Sequence, residues 1–151
     1  MKISKKDLVK KYVISKIGNY IQDLNYTFQG ETIGNSEEKM GDINFLFRNI
    51  FINREIVVSY LPFDVRGDVN ECMCIFIHRL PDDSYTLQNI FKHEGIQYNE
   101  NKFCLLNYSG SFEDQLEQFC CYIIGLFENH LKIWISGEKW EDIPFDWGRY
   151  K

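Results

Sequence analysis

Residues Ser109–Trp147, SGSFEDQLEQFCCYIIGLFENHLKIWISGEKWEDIPFDW, join the clearest helix of the chain to its most aromatic stretch. Ser111 opens a Ser-x-x-Asp run in which its hydroxyl can accept from the Asp114 amide while the Asp114 carboxylate answers back, so a helix is predicted to start there. Phe112, Leu116, Phe119, Ile123, Phe127, Leu131 and Trp134 follow in steps of three or four, which keeps one apolar stripe aimed at a core. Gln115, Gln118, Glu128 and Lys132 fall on the opposite face. Glu113, Asp114 and Glu117 meet the positive end of the helix dipole, and Gly137 can take the left-handed conformation that closes the far end. Beyond it Pro144 biases Ile143 towards extended geometry. Glu138, Glu141, Asp142 and Asp146 alternate there with Trp140, Ile143, Phe145 and Trp147, the pattern of a tail whose rings dock while its carboxylates face water.

The rest of the chain supplies a sheet for this helix to cover. Ser4-Lys5-Lys6-Asp7 repeats the Ser-x-x-Asp start, and Leu8, Val9, Tyr12, Val13, Ile17, Tyr20, Ile21 and Leu24 continue at helical spacing. Gly30 to Gly41 reads as a loop or hairpin tip. Ile43 to Phe51 and Glu55 to Leu61 are rich in β-branched and aromatic residues and predict a hairpin turning at Asn53-Arg54. Cys72 to Arg79, CMCIFIHR, is apolar on both faces, as expected of a strand covered by helices on one side and by aromatics or a partner on the other. Pro81 to Ser84 predicts a turn, Tyr85 to His93 a short helix with a strand as the alternative, and Lys102 to Tyr108 the last strand. The predicted class is α+β: a mainly antiparallel sheet of about four strands with two long terminal helices on one face, residues 1–151 forming a single domain.

Composition narrows the function. At 151 residues and 16% aromatic the chain can bury a core without staples. No apolar run approaches the roughly 20 residues that cross a bilayer, and the lysine-rich start lacks the apolar segment of a signal peptide, so a cytoplasmic location without membrane contact is expected. Five cysteines, with Cys72 and Cys74 alternating, Cys120 and Cys121 adjacent and Cys104 apart, make no disulfide framework, and free thiols are expected. A net charge of −5 disfavours nucleic acid as the partner. The lysines of the first helix read as a solvated face.

The chemistry-bearing residues form no complete set. Cys72, Cys74 and His78 alternate along one strand, yet nothing nearby completes four zinc ligands, and Cys104 with His93 lacks the orienting group that a thiol nucleophile needs. Ser109-Gly110-Ser111 is explained by a tight turn feeding a helix cap. No catalytic residue, metal or cofactor is therefore expected. Trp134, Trp140, Phe145 and Trp147 have two readings, a lid on the core or an exposed interface anchor.

The segment from about Tyr108 to Tyr150, with YSGSFEDQLEQF at its helix start and GEKWEDIPFDWGRY in its tail, resembles the C-terminal region of small acidic bacterial proteins that confer immunity to polymorphic or contact-dependent toxins. That resemblance implies a non-enzymatic protein which binds a cognate, basic toxin domain stoichiometrically through an acidic surface, and it carries over no catalytic residue. Glu138, Glu141, Asp142 and Asp146 are the expected partner-binding residues. The alternative is a small enzyme or ligand-binding domain with a pocket between sheet and helices, lined by Tyr, His or Cys.

Overall fold

The computed structural model describes residues 4–33, 42–63, 66, 68–81 and 83–143. Ser4 caps α1 (Lys5–Tyr12) by accepting from the Asp7 amide at 3.2 Å, and the helix runs on through a π-helical stretch, Val13–Gly18, into α2 (Asn19–Gln22). Five strands follow in an antiparallel meander: β1 (Thr27–Ile33), β2 (Ile43–Asn49), β3 (Arg54–Phe63), β4 (Val69–Arg79) and β5 (Asp83–Thr86), each paired with its sequence neighbours. The short helix α3 (Leu87–Glu94) leads through two 3₁₀ turns, Glu100–Phe103 and Leu105–Asn107, to α4 (Phe112–Leu126). A π-helical stretch, Phe127–Leu131, continues α4 into α5 (Lys132–Ile135).

This is the expected α+β class, with five strands instead of four. β1 was not expected, and its second half, from Gly30 to Ile33, falls in the stretch read as a loop or hairpin tip. Its run TFQGETI has a glycine in the middle and a mostly exposed pattern, and pairing with β2, including an irregularity between Phe28 and Gly30, holds it in the sheet. β5 begins inside the expected turn, and α3 starts at Leu87 because Thr86 and Asn89 close a capping box at 3.1 and 3.0 Å. The expected strand Lys102 to Tyr108 is a correction. Asn99 accepts from the Asn101 amide at 3.0 Å, the Asn107 side chain donates to the Asn101 carbonyl at 2.8 Å, and the Tyr108 hydroxyl donates to the Lys102 carbonyl at 2.8 Å. These local bonds compete with a ladder and fold the segment into turns, leaving one bridge, Cys104 to Cys72.

The strands alternate as the pleat requires. Ile43, Phe45 and Phe47 of β2, Ile56, Val58 and Tyr60 of β3, and Met73, Ile75 and Ile77 of β4 point to one face, where they are buried with the stripes of both helical runs. Those stripes are Val9, Val13, Ile17 and Ile21, and Leu116, Phe119, Ile123, Phe127, Leu131 and Trp134, all at most 0% exposed. Ser111 and Asp114 form the expected capping box at 3.1 and 3.0 Å. The helical run continues, through its π-helical stretch, to Ile135 and closes at Gly137, whose φ of +89° a side chain would strain and whose Cβ position lies 3.1 Å from Ile52.

Candidate binding surface

The same alternation sends a second set of side chains to the other face of the sheet, and strand register arranges them in rows. Leu46 opposes Val57, Val57 opposes Phe76 and Phe76 opposes Thr86, so three apolar side chains form a stripe across the middle strands. One flanking row runs Thr32, Asn44, Ser59 and Cys74, where Asn44 donates to Thr32 at 3.3 Å and Ser59 donates to Asn44 at 2.5 Å. The other runs Arg48, Glu55, His78 and Ser84, with His78 Nδ1 3.8 Å from Glu55. Burial holds the His78 imidazole below the usual histidine range despite the opposing pull of Glu55, so this row presents a neutral ring at physiological pH.

Together these rows border a shallow groove of about 360 Å³. Among the described residues it is lined by strand residues alone, while the helices lie over the opposite face. Cross-strand neighbours shield its floor, leaving Val57 and Ser59 buried and Leu46 and Phe76 half-buried. The sequence hinted at this surface only through the two-faced apolar run CMCIFIHR.

A second hollow, about 310 Å³, lies where α1 meets the ends of β3 and β4, lined by Lys5, Lys6, Tyr60, Pro62, Phe63, Val69 and Glu71 among others. Its polar groups serve one another: the Tyr60 hydroxyl donates to one Glu71 oxygen and Lys5 reaches the other at 2.9 Å. Burial, with the Glu71 carboxylate beside it, pushes the Tyr60 phenol well above its ordinary value. Glu71 is itself buried, at a backbone φ of +50°, so this contact pins the first helix to β4. Tyr60→Phe strips a donor from a buried carboxylate and should cost about 1–3 kcal/mol of unfolding free energy. Urea titration checks it, and an unchanged midpoint would mean that Lys5 alone satisfies the group.

Of the acids expected to bind a partner, the three described ones, Glu138, Glu141 and Asp142, do not line this groove. Trp140 and Ile143 pack against the core on the helix side, and the acids sit around them. Lys139 takes Glu141 at 2.9 Å and Glu94 at 2.5 Å, and it holds the Glu141 carboxyl below the usual range. Asp142 is 88% exposed and 3.8 Å from Arg79, Glu138 is exposed, and Asp146 lies outside the described residues with Phe145 and Trp147. The Trp140 ring stacks on Tyr85 at 5.2 Å, meets Trp134 edge-on at 5.5 Å, and lies beneath the Arg54 and Arg79 guanidinium groups at 4.8 and 5.2 Å. Trp140 is thus a lid on the core.

The outward residues Cys72, Cys74 and His78 share the open face, as their alternation requires, but no group of three or more His, Cys, Asp or Glu that could hold a metal ion occurs among the described residues. His93 is 3.7 Å from Glu141 and its ring edge meets Trp134, so it belongs to the tail contacts. All five thiols are free, Cys120 buried and Cys121 exposed on the neighbouring side of α4. Burial pushes the Cys120 thiol up to about 12. Cys121 should therefore label first with a maleimide, and a fast phase that survives Cys121→Ser would contradict this.

No described helix is long and apolar enough to cross a membrane. Comparison of the chain with family models, with curated proteins and with solved structures finds no match.

Proposed function

We propose that this is a non-enzymatic cytoplasmic protein of the immunity type, which neutralises a basic toxin effector domain by binding it stoichiometrically through the open face of its sheet. The observation that carries the reading is the apolar row Leu46–Val57–Phe76, which no described helix covers and which polar rows flank on both sides. An apolar centre with a hydrogen-bonding rim is the anatomy of a protein interface. The net charge of −5 favours a basic partner, and exposed carboxylates such as Asp142 lie where they can steer its approach without touching the apolar row. The resemblance of residues 108–150 to toxin-immunity proteins supplies the class of that partner.

Charge away from the contact acts mainly on association and burial at the centre of an interface mainly on dissociation, so the two surfaces separate experimentally. Asp142→Lys should slow association several-fold and flatten its salt dependence, with the dissociation rate little changed. Co-expression with the product of the adjacent upstream gene, followed by co-purification and a survival assay, tests the reading. A neighbour that is not a toxin, with no protection conferred, would overturn it.

One observation favours the alternative, a ligand-binding domain: the hollow beside Lys5, Tyr60 and Glu71 lies between helix and sheet, where such a pocket was expected. Its one tyrosine and one carboxylate are already bonded to each other, and Lys6 also lines it.

A further inference from the structure

β5 pairs only with Phe76 to Arg79 of β4, so the earlier part of that strand edge takes a different neighbour. Cys104 fills the place. It stands between the two 3₁₀ turns with extended backbone, φ −112° and ψ 122°, and forms an antiparallel bridge to Cys72. Directly opposed residues in such a pair hold their Cα atoms about 4.5–5.5 Å apart. That spacing falls within the roughly 4.4–6.8 Å that a disulfide spans between Cα atoms. Cys104 Sγ donates to the Asn70 carbonyl at 2.9 Å, which holds the thiol beside the chain two residues before Cys72. Both residues are half-buried, within reach of a small reagent.

The other three cysteines lack this arrangement. Cys74 opposes Ser59 on β3, Cys120 is buried with its thiol 3.8 Å from the Tyr12 carbonyl, and Cys121 is exposed on α4.

We propose that Cys72 and Cys104 are a redox pair that closes to an intramolecular disulfide when the protein meets a low-molecular-weight disulfide such as glutathione disulfide. Cys104 thiolate, its proton lost to water, attacks one sulfur of the oxidant and expels the first glutathione thiolate, leaving a mixed disulfide on Cys104. Cys72 then gives up its proton and attacks the Cys104 sulfur, expelling the second glutathione. Two protein thiols are oxidised to one disulfide and one small disulfide is reduced to two thiols. Burial, reinforced by the neighbouring Cys104, pushes the Cys72 thiol up to about 12, which makes it the slower, resolving partner. The new bond would enclose β5 and α3 in a covalent loop and fasten the Cys104 segment to β4.

The test uses the full chain, reduced, held in glutathione disulfide, quenched with N-ethylmaleimide and read by intact mass and peptide mapping. The oxidised protein should carry two fewer maleimide groups than the reduced one and no glutathione at Cys72 or Cys104. It should yield a linked peptide containing both residues, and dithiothreitol should reverse the change. Cys74→Ser and Cys121→Ser should give the same linked peptide, and Cys104→Ser should abolish it. The oxidised chain should also unfold at a higher urea concentration, because the cross-link restricts the unfolded ensemble. Glutathione retained on Cys104 without the linked peptide, or a link from Cys72 to Cys74, would overturn the proposal.

Discussion

Trp134→Ala should lower the unfolding free energy by about 3–5 kcal/mol, the range for a large aromatic removed from a packed interior. The indole is fully buried at the end of the last helical run, and its ring N–H donates to Glu94 at 3.0 Å. Glu94 in turn takes Lys139 at 2.5 Å, and these two donors hold its carboxyl below the usual range. Truncation thus opens a cavity and loosens the link between α3 and the tail in one step. Trp134→Phe keeps much of the volume and loses the N–H, and it should cost nearer 1 kcal/mol because Lys139 still satisfies Glu94. Urea unfolding with an unchanged slope would report a stability effect alone. A loss under 1 kcal/mol for the alanine variant would show that the helix end is not part of the core.

Trp140→Ala comes second, at about 2 kcal/mol. Its ring is half-buried, which puts it below the range for a fully enclosed tryptophan, but it lies beneath two guanidinium groups, and each cation–π contact contributes about 0.5–2 kcal/mol. Arg54 makes the contact consequential. It is buried, its terminal nitrogen donates to the Ile52 carbonyl at 3.1 Å, and burial lowers its pKa while Arg79 repels it. Without the indole, that cation loses its apolar cover and a favourable ring face. Arg54→Met in the Trp140→Ala background should recover part of the loss, since a well-packed apolar side chain often replaces a buried charge at no net cost. Thermal melts of the single and double variants check this. A double variant less stable than Trp140→Ala would indicate that the Ile52 hydrogen bond outweighs the buried charge.

The helix around which the chain folds was legible because several signals agree over Ser111 to Gly137. The cap is where the Ser-x-x-Asp run puts it, and every stripe position from Leu116 to Trp134 is buried. Its π-helical stretch was not, since a wider turn shifts the stripe by less than the tolerance of a three-or-four spacing. β1 was missed, and β5 was met only by the strand alternative at Tyr85, for a shared reason: TFQGETI and DSYT are largely polar and owe their extended form to pairing with strands that do have a pattern. KFCLLNY misled because its composition favours a strand, while Asn99, Asn107 and Tyr108 supply the backbone with local partners.

The candidate surface was the least legible part. The strand CMCIFIHR announced a second apolar face, but the row Leu46–Val57–Phe76 exists only once three strands are in register, and those residues are far apart in the chain. The acids of the tail drew notice because they alternate with rings, yet among the described ones Glu141 pairs with Lys139 and Asp142 lies 3.8 Å from Arg79, while Glu138 is exposed.

Phe76→Arg is the most direct test of the proposed interface, because it puts a charge at the centre of the apolar row on a face that no described helix covers. The variant should fold, with circular dichroism and melting close to wild type, since residue 76 points away from the core. Its affinity for the co-expressed toxin partner, measured by surface plasmon resonance, should fall at least about 30-fold, the effect of losing a central anchor worth about 2 kcal/mol or more. A folded Phe76→Arg protein that binds the partner as tightly as wild type would contradict the assignment of the open sheet face.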